Sequence, residues 1–254
     1  MDRFLLKIYR GTPGKQYWEE FELPLRPAEN VISALMAIQK DPINRKGERV
    51  TPIAWEQGCL EEVCGSCSML VNGHPRQACT TLIHKLVAQT GKDVVTLAPF
   101  TKFPLVRDLI VDRSSMFESL KKVQGWIEAG NSQQEGYGPL VAPDQQELMY
   151  SLSNCMTCGC CLEACPQMNN RSKFIGAAAI SQVRLFNAHP TSEKQKHERL
   201  HIMMEEGGIS DCGNAQNCVK VCPKKIPLTD SIAEIGRDVT LQAIKDVFSF
   251  HNRE

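Results

Sequence analysis

The chain has 254 residues, of which 42% are hydrophobic and 23% charged, and its 29 Lys+Arg balance 29 Asp+Glu. That is enough sequence for two modest cores and too apolar for long disorder. Zero formal net charge excludes the basic footprint of a nucleic-acid binder, and no apolar run approaches the about 18 residues of a membrane-spanning helix.

Met1 to Arg10 alternates apolar and charged residues, which marks a strand and not the apolar core of a signal peptide, so a cytosolic protein is expected. The turn residues Gly11 to Gly14 lead into Tyr17 to Leu23, again alternating, and the pair reads as a β-hairpin. Val31, Leu35 and Ile38 recur at helical spacing within Asn30 to Lys40, with Asn30 as the N-cap. Ser68 to Val71, the pair Asn72-Gly73 and the stretch from His74 towards Cys79 form a second hairpin, since Asn-Gly supplies the positive φ values of a type I′ turn. Val94 to Leu97 supplies a closing strand. Ser115 and Glu118 stand at capping-box spacing before a helix whose inner face is Phe117, Leu120, Val123 and Ile127. Ala129 to Pro143 is a connecting loop by its Gly, Ser, Gln and Pro content. Beyond it the pattern is helical: Phe174 to Ala188 stops at His189-Pro190, and Leu228, Ile232, Ile235 and Val239 follow Pro227 at helical spacing.

Cysteine is the component out of line, at 12 residues. A chain of this length needs no disulfide staples, and without an export signal the thiols are expected to ligate metal. Cys59, Cys64, Cys67 and Cys79 follow C-x4-C-x2-C with a fourth cysteine downstream, the plant-type [2Fe-2S] spacing. Gly58 and Gly65 let the backbone pass close to inorganic sulfide. Zinc loops instead pair C-x2-4-C halves, and with four cysteines no Rieske-type histidine is needed, so His74 and His84 are surface or core residues.

In the second group Cys155-x2-Cys158-x2-Cys161-x3-Cys165-Pro166 repeats the bacterial ferredoxin run, whose fourth cysteine serves the other cluster. The template recurs as Cys212-x2-Ala215-x2-Cys218-x3-Cys222-Pro223, with alanine where a thiolate belongs. Exchange of fourth ligands gives Cys155, Cys158, Cys161 and Cys222 to a [4Fe-4S] cluster. It leaves Cys165, Cys212 and Cys218 for a second centre whose corner at Ala215 has no ligand, which is the pattern of [3Fe-4S]. A cubane completed by water or by a carboxylate such as Asp211 is the alternative. Cys160 lies outside both templates and reads as a small buried hydrophobe. No nucleophile, base or phosphate loop accompanies these motifs, so the chain reads as an electron carrier without substrate chemistry.

Cys64-Gly-Ser-Cys67-Ser-Met, Asn72-Gly73, Arg76-Gln-Ala-Cys79, Arg107-Asp108-Leu109-Ile-Val-Asp112 and the helical cysteine runs stand in the order of one family. The chain resembles the iron-sulfur subunit of succinate dehydrogenase and quinol:fumarate reductase over its whole length. The resemblance implies an α+β chain with an N-terminal β-grasp [2Fe-2S] ferredoxin-like domain at 1–105. A connecting helix and loop at 106–144 and an all-helical dicluster ferredoxin-like domain at 145–254 follow. It also implies two partners, a flavoprotein with covalent FAD and a membrane cytochrome b anchor carrying haem b and meeting quinone, with electrons passing through [2Fe-2S], [4Fe-4S] and [3Fe-4S] in turn. The subunit would sit peripherally at the cytoplasmic face of the bacterial inner membrane.

Three departures carry information. Many members have C-R-E-G in the first loop, where Leu60 and Glu62 here remove a cation and a glycine, and the added carboxylate is expected to lower that cluster's potential. The Trp and His that line the quinone pocket of ubiquinone-linked relatives correspond to Asn170 and Gly213. The chain is therefore more similar to the menaquinone-linked bacterial branch, and its quinone-binding residues are not assigned. Two other readings stay open, an adaptor for a thiol-dependent fumarate reductase or heterodisulfide reductase and a structural zinc protein. The first is disfavoured because the chain ends at Glu254 without a further cysteine-rich domain. Lys220, Lys224 and Lys225 form a solvated face, or a contact for the anchor or anionic headgroups.

Overall fold

The computed structural model describes residues 3–128, 139–169 and 171–251, so most of the expected connecting loop, and Asn170, lie outside the described residues. The chain divides into two compact units, Met1–Arg113 with Met156–Ala164, and Ser114–Cys155 with Cys165–Glu254.

The first unit is built on a five-stranded sheet. Strands β1 (Arg3–Thr12) and β2 (Lys15–Pro24) pair antiparallel from Arg3 opposite Pro24 to Thr12 opposite Lys15. Phe4, Leu6 and Ile8 alternate into the core, as a half-buried strand requires. Gly11 begins the turn at φ 128°, and a Cβ there would lie 2.2 Å from the Lys15 carbonyl oxygen, so only glycine fits. Helix α1 (Val31–Lys40) starts at Asn30, whose Oδ1 accepts from Ser33 N at 2.8 Å while Ser33 Oγ accepts from Asn30 N at 3.0 Å. This reciprocal cap satisfies two otherwise unpaired donors, and Val31, Ile32, Ala34, Leu35 and Ile38 then pack onto the sheet core.

Strands β3 (Ser68–Val71) and β4 (His74–Gln77) flank Asn72 (φ 50°) and Gly73 (φ 74°), the hairpin expected from Asn-Gly. Helix α2 (Ile83–Thr90) is absent from the sequence reading because only Ile83 and Leu86 are buried, too few to show a period. It stops at Gly91 in the left-handed region, and β5 (Val94–Ala98) follows. β5 lies parallel to β1 and antiparallel to β3, giving the order β2-β1-β5-β3-β4, the β-grasp arrangement. A short hairpin, β6 (Leu105–Arg107) and β7 (Ile110–Val111), turns at Asp108 (φ 49°).

Asp108 and Arg10 are buried together. Asp108 Oδ1 accepts from Gly11 N at 2.8 Å and Arg10 Nε at 3.2 Å, and its Oδ2 accepts from Ala54 N at 2.8 Å. Arg10 Nη1 also donates to Glu19 Oε2 and to Thr51 O, both at 2.8 Å. The cation and two carboxylates thus fix the 51–54 segment that leads into the first cysteine loop.

The other helices follow in chain order. Helix α3 (Ser114–Lys122) buries Met116, while Phe117, expected on the inner face, is 60% exposed. Val123, expected on that face, is fully buried, so the inward side lies between Met116 and Val123. Helix α4 (Pro143–Ser153) has proline at its first turn, where the missing N–H costs nothing. The single turn α5 (Cys160–Glu163) packs with the first unit, although the sequence reading counts all of 145–254 with the helical domain. The reason is polar: the Glu163 carboxylate accepts from Thr101 N at 3.0 Å, Thr101 Oγ1 at 2.7 Å and Lys102 N at 3.0 Å.

Helices α6 (Gly176–Asn187), α7 (Glu193–Met204), α8 (Asn217–Val221) and α9 (Leu228–His251) complete the second unit, with a 3₁₀ turn at Ile209–Asp211. Its core gathers Phe174, Ile180 and Val183 with Leu200, Met203, Ile235 and Val239. Arg199 is fully buried within it, donating from Nε to Gln124 O at 3.0 Å, from Nη2 to Trp126 O at 2.6 Å and from Nη1 to Asn187 Oδ1 at 3.2 Å.

Candidate iron-sulfur centres

None of the 12 cysteines forms a disulfide. The first loop winds around its own sulfurs. Cys59 Sγ accepts from Glu61 N at 3.4 Å, Val63 N at 3.2 Å and Cys64 N at 3.3 Å, and Cys64 Sγ accepts from Cys59 N at 3.3 Å. Left-handed backbone at Leu60 (φ 62°), Glu62 (φ 56°) and Gly65 (φ 74°) accompanies this winding. Glu62 adopts that conformation without being glycine, and its Oε1 accepts from Thr80 Oγ1 at 2.7 Å.

The thiols of this loop stand in different surroundings. The Cys59 N–H, then the Ser66 side chain and backbone, bring Cys64 down to about 6. Burial pushes Cys67 up to about 12. A thiol so buried is unreactive as a free nucleophile. Gly58 stands where a Cβ would be 2.9 Å from Cys64 Sγ, so the backbone reaches the sulfur at a distance no side chain permits. Arg113, not singled out from sequence, donates to Gly65 O at 2.8 Å and Ser66 O at 3.1 Å and pairs with Glu56 at 2.8 Å. An isolated arginine carries no sequence signal for such a role.

The four residues of the cubane set are divided between the units, Cys158 and Cys161 in the first and Cys155 and Cys222 in the second. Within the first unit, Cys158 lies against the [2Fe-2S] loop: a Cβ on Gly65 would be 2.9 Å from Cys158 Cα and from Met156 O. Gln77 joins the two cysteine segments, its Oε1 3.6 Å from Cys67 Sγ and its Nε2 donating to Cys160 Sγ at 3.5 Å. Cys160 is fully buried; the adjacent Cys158 and then burial push its thiol up, while the proximity of Cys160 brings Cys158 down to about 7. The burial of Cys160 agrees with the reading of a small buried hydrophobe. Within the second unit, Cys222 Sγ accepts from Ile226 N at 3.4 Å.

Cys165, Cys212, Cys218 and Ala215 line one small cavity, partly open to solvent, with Phe174, Ala177 and Ile232 among its apolar walls. The 212–217 loop reaches this shape through left-handed Asn214 (φ 48°) and Gln216 (φ 57°). Burial raises the Cys218 thiol, and the neighbouring Cys165 and Cys212 raise it further. Three thiols and an alanine around one cavity suit a centre with one fewer ligand than a cubane. Asp211, the carboxylate considered as a fourth ligand, is not among the lining residues, and its Oδ2 accepts from Gly207 N at 2.9 Å. At Gly213 a Cβ would lie 2.4 Å from Gln167 Nε2, so no larger residue fits without moving that amide.

Comparison with known proteins agrees with this chemistry. The family described as 2Fe-2S iron-sulfur cluster binding domain matches residues 5–118, and the 4Fe-4S dicluster domain matches residues 151–226. The succinate dehydrogenase iron-sulfur subunit of Bacillus subtilis (strain 168) is 54% identical over 246 residues, covering 97% of this chain and 95% of that one. The fumarate reductase iron-sulfur subunit of Wolinella succinogenes is 28% identical, covering 93% and 98%. Among solved structures, a chain of the Mycobacterium smegmatis Sdh1 complex in the apo form shares the fold at TM-score 0.78 and 23% identity, over 93% of this chain and 95% of that chain. The protein is an iron-sulfur electron-transfer protein, and it belongs to the family of succinate dehydrogenase and fumarate reductase iron-sulfur subunits.

Proposed function

We propose that the chain links a flavoprotein with covalent FAD to a membrane cytochrome b anchor carrying haem b, in a complex that exchanges electrons with menaquinone. Cys59, Cys64, Cys67 and Cys79 would hold [2Fe-2S], Cys155, Cys158, Cys161 and Cys222 would hold [4Fe-4S], and Cys165, Cys212 and Cys218 would hold [3Fe-4S]. These clusters supply one-electron redox chemistry when bound. The chain's own residues hold the sulfurs, donate N–H groups to them, and exclude water from Cys67 and Cys218.

The observation that carries the trinuclear assignment is the cavity in which Ala215 stands among three cysteines. The menaquinone reading rests on Gly213 standing where the ubiquinone-linked relatives have histidine. No described helix is long and apolar enough to cross a membrane, which accords with a separate anchor subunit. On α9, Leu241, Ile244, Val247 and Phe248 are exposed at helical spacing and suit burial against another chain. The complex would lie at the cytoplasmic face of the membrane.

The test is purification of the intact complex, with its succinate:quinone activity assayed against menaquinone and ubiquinone analogues. Turnover with menaquinone and a copurifying haem b subunit is the expected result. Preference for ubiquinone, or a complex without a haem-bearing anchor, would overturn the finer reading and leave family membership standing.

A further inference from the structure

Outside the cysteine groups, one cluster brings together residues of metal-ligand type. His197 and His201 stand one turn apart on α7, and Asp246 of α9 faces them. His201 Nε2 lies 3.1 Å from Asp246 Oδ2, and His197 Nε2 lies 3.8 Å from Asp246 Oδ1. One nitrogen from each imidazole and one carboxylate oxygen all fall within 4.8 Å of one another. A zinc ion about 2.0–2.1 Å from each donor spaces tetrahedral ligands about 3.3–3.4 Å apart, so donors already within 4.8 Å of one another reach that spacing by small side-chain rotations.

The two imidazole rings are stacked with centroids 4.4 Å apart, as the one-turn spacing on α7 allows. Gln242 Nε2 donates to Asp246 Oδ1 at 2.7 Å and lies 2.9 Å from His197 Nε2, so zinc entering the site would displace this amide from the imidazole nitrogen. Both histidines are exposed, which leaves an entry path and room for water as a further ligand.

From this geometry we infer that His197, His201 and Asp246 form a binding site for a divalent transition metal of the zinc class, which clamps the C-terminal part of α9 to α7. Two imidazoles and one carboxylate select zinc-like ions over magnesium or calcium, which prefer all-oxygen cages. The run His197-Glu198-Arg199-Leu200-His201 has the H-E-x-x-H order of zinc hydrolases, in which the glutamate activates water. Here Glu198 Oε2 instead accepts from Gln124 Nε2 at 3.0 Å, and the site is proposed as a clamp between helices and not as a hydrolytic centre.

The test is calorimetric titration of Zn²⁺ into the purified, cluster-loaded full chain, with iron content measured on every sample. One zinc per chain is expected, with affinity weakened at least tenfold in both His201→Ala and Asp246→Asn at unchanged iron content. Glu198→Gln should bind as the parent does, and Mg²⁺ should not compete. Hydrogen exchange of the α9 amides around 242–248 should slow on zinc addition in the parent and not in Asp246→Asn. Equal zinc affinity in parent and both variants, or loss of binding on Glu198→Gln, would overturn the assignment.

Discussion

Ala215 is the residue on which the chain's redox character turns. It lines the cavity with Cys165, Cys212 and Cys218, at the template position of a fourth ligand. Ala215→Cys is expected to convert the trinuclear centre into a cubane, with the paramagnetic signal of the oxidised protein lost and about one more iron bound per chain. Electron paramagnetic resonance of the oxidised variant checks this, and an unchanged signal would mean that residue 215 does not face the open corner. Glu62 offers a second test. It sits at φ 56°, a conformation that costs a non-glycine residue about 1 kcal/mol, and its carboxylate is held by Thr80. Glu62→Gly removes a negative charge beside the first cluster and also the strain. The [2Fe-2S] potential should therefore rise while stability changes by less than about 1 kcal/mol, because the lost Thr80 hydrogen bond offsets the relief. A redox titration that finds the potential unchanged or lower would count against the electrostatic account.

At the scale of elements, short polar contacts set where the cysteine segments lie. The turn α5 is only Cys160–Glu163, too short to be stable alone, and Glu163 anchors it by accepting from Thr101 and Lys102. Glu163→Gln removes the charge from a buried acceptor and leaves a side-chain amide facing backbone donors. A loss of about 1.5–3 kcal/mol is expected, the range for hydrogen bonds to a charged group. Chemical denaturation read on the first unit measures it, and a midpoint equal to the parent's would show that apolar burial holds the segment instead. Arg10 plays the corresponding part for the 51–54 segment, with Glu19, Asp108 and two carbonyls around one guanidinium.

For the whole molecule, the ligand sets predict about nine iron atoms per fully loaded chain, two plus four plus three. Metal analysis near ten would favour a complete second cubane. The division into units makes a sharper prediction. Cys67 and Cys160 share Gln77, and Gly65 touches the Cys158 backbone, all within the first unit. Cys79→Ala should therefore abolish the [2Fe-2S] spectrum and weaken that of [4Fe-4S]. The [3Fe-4S] signal should survive, since Cys165, Cys212 and Cys218 all belong to the second unit. Loss of all three signals together would show that the units fold as one cooperative body.

The sequence alone determined what depends on local spacing. The cysteine intervals, Asn30 as a cap, the Asn72-Gly73 turn and the alternation in β1 each act over a few residues, so a linear pattern suffices to read them. Helix α2 escaped because two buried side chains make no period, and the inner face of α3 was misread because Phe117 is as apolar as the Met116 that is buried. Tertiary structure alone decided the rest: Glu163 carrying α5 into the first unit, Arg113 holding the carbonyls of the cysteine loop, Gln167 filling the space beside Gly213, and Asp246 meeting His197 and His201. Each of these joins a charge or amide to a group dozens of residues away in sequence. Such pairings leave no trace in local periodicity, because the partner becomes a neighbour only when the chain packs.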